Sequence, residues 1–190
     1  MIEYGFLSRQ VSEPEKFKEI YDIRVGLKRE GKKKEQQPYK IVLNGTYGAS
    51  KDKYNNLYDP LQANNVCING QLLLLDLIEH VETQLPGAEL IQSNTDGVMF
   101  KLSNEESLDK YKEIANEWSE RTKMGLDHDI IEKVVQKDVN NYIVVKKGGK
   151  IKSKGAYVKE LSTLDNDLPI VNKALMDYFI KDIPVEDTIN

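Results

Sequence analysis

The hydrophobic period changes sharply near residue 88 of this chain. Up to about residue 84 apolar residues recur every three to four positions, whereas residues 88 to 102 read as strands. Glu89-Leu90-Ile91-Gln92-Ser93 and Val98-Met99-Phe100-Lys101-Leu102 are joined by Asn94-Thr95-Asp96-Gly97, a hairpin connection with glycine where positive φ is wanted. A stretch with one period does not settle into the other element. Helices therefore come first, then a hairpin, then one more helix and a run of strands. This order is not the alternating βαβ order of a parallel sheet. It predicts an α+β fold: an antiparallel sheet with helices packed on one face, plus a projecting helical hairpin.

The spacing predicts a helix over 14–30, with Pro14 in its first turn and Phe17, Ile20, Tyr21, Ile23 and Leu27 on its apolar side. Gly31, the lysines after it and Pro38 mark a turn. A second helix starts near Pro38 and carries Ile41, Val42 and Leu43. Asp59-Pro60 opens a third, running to about Gln84 with a stripe of Val66, Leu72, Leu73, Leu75, Leu77, Ile78 and Val81. Ser103 with Glu106 reads as a capping box ahead of a helix whose face is Leu108, Tyr111, Ala115 and Trp118. A β-meander follows: 130–135, 142–145, a Gly148-Gly149 turn, and 151–158. One helix begins at Pro169.

Composition narrows the function classes. One cysteine, Cys67, and two histidines, His80 and His128, exclude a disulfide framework and a Cys/His zinc site, and suit a reducing, cytoplasmic setting. Cys67 reads as a small packing residue, and both histidines as structural or surface side chains. The longest apolar run is Leu72 to Leu75, too short for a membrane span, and no signal peptide is visible at Met1. The formal net charge of -4 argues at first against a polyanion partner. That charge is segregated, however. Residues 24–40 hold seven cations against Glu30 and Glu35, and residues 133–159 hold eight lysines against Asp138. These two stretches carry +5 and +7, leaving -16 elsewhere.

Three constellations stand out, each with a plainer alternative. Lys40 and Asn44 lie four residues apart on one helix face, as do Arg24 and Lys28 on the helix before. Fixed cations with a directed amide suit a triphosphate, and they equally suit a solvated helix face. Asp96 sits at a tight hairpin tip, where a rigid carboxylate suits Mg²⁺, although Asn-x-Asp-Gly is also ordinary turn chemistry. Tyr142, Lys152, Lys154 and Tyr157 interleave rings and cations along the meander. That pattern suits a nucleic-acid backbone, or a lysine-protected edge.

Taken in order, these segments resemble a family B DNA polymerase of a phage- or virus-like branch. Lys40-Ile-Val-Leu-Asn44-Gly-Thr-Tyr47-Gly48 resembles the fingers motif Lys-x3-Asn-Ser-x-Tyr-Gly, with Gly45 in place of Ser. Ser93-Asn94-Thr95-Asp96-Gly97 resembles the palm motif Tyr-Gly-Asp-Thr-Asp-Ser, with Asn94 for the first Asp. Asp138-Val139-Asn140-Asn141-Tyr142 and Lys150 to Gly155 resemble the Lys-Lys-Arg-Tyr segment and the strand after it, although only Tyr142 keeps its motif identity.

The resemblance implies template-directed transfer of a deoxynucleoside monophosphate from a dNTP to a primer 3′-hydroxyl, with two Mg²⁺ ions. By the same resemblance Asp96 is the catalytic metal ligand, and Arg24, Lys28, Lys40, Asn44 and Tyr47 contact the dNTP. Gly48, Tyr142 and Lys154 contact primer-template DNA. It implies the end of a palm strand at 1–12, a fingers hairpin at 13–58, palm with meander at 59–160 and the start of a thumb at 161–190. The family's Asp-x-x-Ser-Leu-Tyr-Pro-Ser motif would lie upstream of Met1. The expectation is therefore a fingers-and-palm fragment, inactive alone, with the upstream polymerase segment as a possible partner. A non-catalytic DNA-binding module and one half of a split polymerase stand as alternatives.

Overall fold

The computed structural model describes residues 1–95, 97–155, 158 and 168–189. Its elements are α1 (Pro14–Arg29), α2 (Gln37–Lys51), α3 (Pro60–Gln84), β1 (Glu89–Ser93), β2 (Val98–Lys101), α4 (Glu105–Thr122), β3 (Ile131–Asp138), β4 (Asn141–Lys146), β5 (Ile151–Lys154), α5 (Pro169–Lys181) and α6 (Val185–Ile189). The mixed α+β class is as the period change predicts. Among the described residues the strands form two sheets, not one: β1 with β2, and β3-β4-β5. Short local turns at Asp138–Asn141 and Gly148-Gly149 pair neighbouring strands at low closure cost, so each set of strands completes itself. The last predicted strand, 151–158, is seen as β5 up to Lys154, with 156 and 157 outside the described residues, and α6 was not foreseen.

The chain divides into two compact units. The first comprises Met1–Glu89, Thr95–Gly97 and Leu102–Met124. Here α1 packs on α2, α2 on α3 and α3 on α4. Its core is the α3–α4 seam: Leu77, Val81 and Ala115 are fully buried, with Ile114 and Trp118 nearly so. Burial of each large side chain contributes about 1.5–3 kcal/mol. The Trp118 indole also donates to the Leu73 carbonyl at 3.1 Å, which satisfies its buried N–H. The predicted stripe on α3 is only partly inward, since Leu72 and Leu75 are exposed. Twenty-five residues of helix present more apolar side chains than α2 and α4 cover.

Two features fix the ends of these helices. Asp59 is the N-cap of α3, its side chain accepting from the Gln62 N–H, as Asp-Pro at that position suggests. For α4 the cap is Asn104 and not Ser103. Asn104 Oδ1 accepts from the Ser107 N–H at 2.8 Å and from Ser107 Oγ at 2.7 Å. Ser103 stands one residue too early, and its hydroxyl lies 3.1 Å from that of Ser107.

The second unit comprises Leu90–Asn94, Val98–Lys101 and Gly125–Asn190. In its three-stranded antiparallel sheet β4 is central, and Ile143 and Val144 are both buried, one on each face. Helix α5 buries Ala174 and Asp177. The Asp177 carboxylate is paired by Lys173 and Lys181, one turn before and after it, and lies below its ordinary pKa because of those bonds.

Candidate functional site

The hairpin α1–α2 gathers the predicted phosphate-binding residues of the first unit. Arg24 is half-buried, and its Nε donates to Gln36 Oε1 at 3.3 Å. Gln36 is the N-cap residue of α2, and its carbonyl accepts from the Lys40 N–H at 3.1 Å. Arg24 is thereby tied to the α2 turn that carries Lys40. Lys28 lies in the last turn of α1, where a cation complements the carbonyl end of the helix. Lys40 and Asn44 are both exposed, one turn apart. The start of α2 has no side-chain cap and no acidic residue in its first turn. Cations beside such an end favour an anion.

Tyr47 and Gly48 lie further along the same helix. Gly48 is exposed, with open space where a Cβ would stand. Tyr47 is half-buried and turned toward α3: its hydroxyl lies 2.7 Å from Cys67 Sγ. Lys51 Nζ sits 4.6 Å from the Tyr47 ring centroid and 3.7 Å from the same sulfur. The bond with Tyr47, ahead of any other influence, holds the Lys51 ammonium above its ordinary pKa. Sequence reading missed this cluster. Tyr47 and Lys51 are one turn apart and legible as a pair, but the cysteine arrives from another helix.

In the second unit the register pairs Tyr142 directly with Lys154, and Gln136 with Tyr142. Direct cross-strand partners project from the same face, so the ring and the ammonium predicted to track DNA are neighbours. Lys154 Nζ also donates to Asn140 Oδ1 at 3.1 Å. The turn before β4 is fastened by Asp138, which accepts from the Asn140 N–H and from the Asn141 amide. The Asn141 bond, first among several, holds the Asp138 carboxyl below its usual range. Gly155, at φ +117°, comes so close to Asn141 that an added Cβ would overlap its side chain and lie 2.9 Å from its Cα. Gln136 was overlooked by sequence reading; its Oε1 is buried with no hydrogen-bond partner among the described residues.

Asp96 and Tyr157 lie outside the described residues. Among the described residues no group of three His, Cys, Asp or Glu side chains is placed to hold a metal ion. His80 Nδ1 lies 2.7 Å from the Asp76 carbonyl, in keeping with a structural role. Among the described residues no helix is long and apolar enough to cross a membrane. Comparison of the chain with protein-family models and with curated proteins returns no match.

Proposed function

We propose that the chain is a segment of a template-directed DNA polymerase resembling family B, in which α1–α2 grips the triphosphate of the incoming dNTP and β4–β5 tracks the primer-template. The observation that carries this reading is the run Lys40-x3-Asn44-x2-Tyr47-Gly48 on one helix, packed beside the helix that bears Arg24 and Lys28. In it, Arg24, Lys28 and Lys40 neutralise phosphate oxygens, and the Asn44 amide adds a directed hydrogen bond. Mg²⁺, held by Asp96 in this reading, would supply activation of the primer hydroxyl and charge neutralisation on the leaving pyrophosphate. The described residues provide no metal cluster, so their part is binding and orientation, and no catalytic step is assigned to them.

The test is a titration of the purified chain with a fluorescent deoxynucleoside triphosphate at low salt. Replacing Arg24 and Lys40 together by Ala is expected to weaken binding by about tenfold or more, since each hydrogen bond to a charged group contributes roughly 1.5–3 kcal/mol. Equal affinities for the two proteins would sink the reading. A second reading, a DNA-binding module without chemistry, is favoured by the Tyr142–Lys154 pair, which needs no metal to engage a phosphate backbone. Duplex binding by a chain that has no affinity for triphosphate would favour that alternative.

A further inference from the structure

We infer that the loop between α2 and α3 is a stacking contact for single-stranded nucleic acid, with Tyr54 as its platform. Tyr54 is 84% exposed, the highest figure among the exposed large hydrophobic side chains described. A ring left in water usually sits on a mobile tip, but this one does not. The Tyr54 N–H donates to Asp52 Oδ1 and the Leu57 N–H to Asn55 Oδ1, each at 3.0 Å. The backbone closes around them, Asn55 N–H to the Asp52 carbonyl and Tyr58 N–H to the Asn55 carbonyl.

The foot of the loop is fastened as well. Ser8 Oγ donates to the Leu57 carbonyl at 2.8 Å, and the Asp59 N–H donates to the Ser50 carbonyl at 2.9 Å. Asp59 is itself gripped by Arg9 through both carboxylate oxygens. A ring held out by a braced loop loses little further entropy when a flat partner settles on it.

The surroundings select the partner. Lys53 Nζ lies over one face of the Tyr54 ring, 4.8 Å from its centroid, so the opposite face is the one left to a base and a cation stands close to where the phosphate of a stacked nucleotide would run. Asn55, Asn56 and Tyr58 are exposed, offering amides and a second ring. The only aliphatic side chain of the loop, Leu57, is half-buried. Within the loop, ring, amide and cation match a base and its phosphate. This contact is separate from the triphosphate grip and does not depend on it.

The experiment is fluorescence anisotropy of a labelled oligo(dT) at low salt with the full chain and with Tyr54→Ala and Tyr54→Phe. Stacking is expected to make the Ala variant bind roughly fivefold to 150-fold more weakly, with Phe close to the parent. On an abasic strand of equal length the three proteins are expected to bind alike, and triphosphate affinity is expected to be unchanged in both variants. Circular dichroism checks that the exposed substitution leaves the fold intact. The inference is overturned if the parent chain does not bind oligo(dT). It also fails if the Ala variant matches the parent, which would leave Tyr54 to a protein partner, or if the deficit persists on the abasic strand.

Discussion

Gly155 shows how one residue can set the neighbourhood of a candidate contact. Its φ of +117° is closed to side-chain-bearing residues at ordinary energies, and the Asn141 backbone occupies the space where a Cβ would go. Gly155→Ala should therefore cost about 1–3 kcal/mol, the usual toll for a strained residue, measured as a shift in urea midpoint. An unshifted midpoint would show that Asn141 yields without loss. The glycine was legible as part of Lys154-Gly155, but its reason was not, because Asn141 is distant in sequence and reaches it only through strand pairing. Tyr47 teaches the same lesson. Its motif position was readable, whereas its bond to Cys67 depends on how α2 meets α3.

Helix α3 begins where a buried carboxylate does two tasks. Asp59 caps the helix and is paired with Arg9, whose bonds, first among the causes, hold its carboxyl far below the ordinary range. A depressed folded-state pKa means that the pair contributes fully above the unfolded value near 4 and loses its contribution as pH falls below it. Asp59→Asn keeps a capping oxygen but removes the charge. The Tm gap between parent and variant is expected to be wide at pH 7 and to narrow progressively as pH falls below 4, closing only at the far lower pH where the folded carboxyl takes up its proton; a gap independent of pH would show that capping alone matters. At this scale most of the fold was readable. Period and breakers located α1, the start of α2, α3, β1 and β2 to within a residue or two, because those signals are local. The capping residue of α4 was misread because Ser103 and Asn104 are adjacent and both chemically suitable, and only geometry separates them.

Across the whole chain, charge segregation was legible and connectivity was not. The two basic stretches fall on the α1–α2 hairpin and, as far as the described residues go, on β3-β4-β5, yet nothing local says that the described strands divide between two sheets. Nor does any local signal announce that the Tyr4 hydroxyl donates to the Thr122 carbonyl at 2.6 Å, across 118 residues. That single bond has a kinetic side. Its ends can meet only after a very long loop has closed, and loop-closure entropy delays such contacts until neighbouring helices are already packed. Tyr4→Phe keeps the ring and deletes only the donor. A lost net hydrogen bond of about 1 kcal/mol should then accelerate unfolding by about fivefold in stopped-flow measurements and leave the refolding rate nearly untouched. A slowed refolding rate would instead put this contact in the nucleus. The first turn of the chain would in that sense act as a latch that governs how long the first unit stays closed, not how quickly it forms.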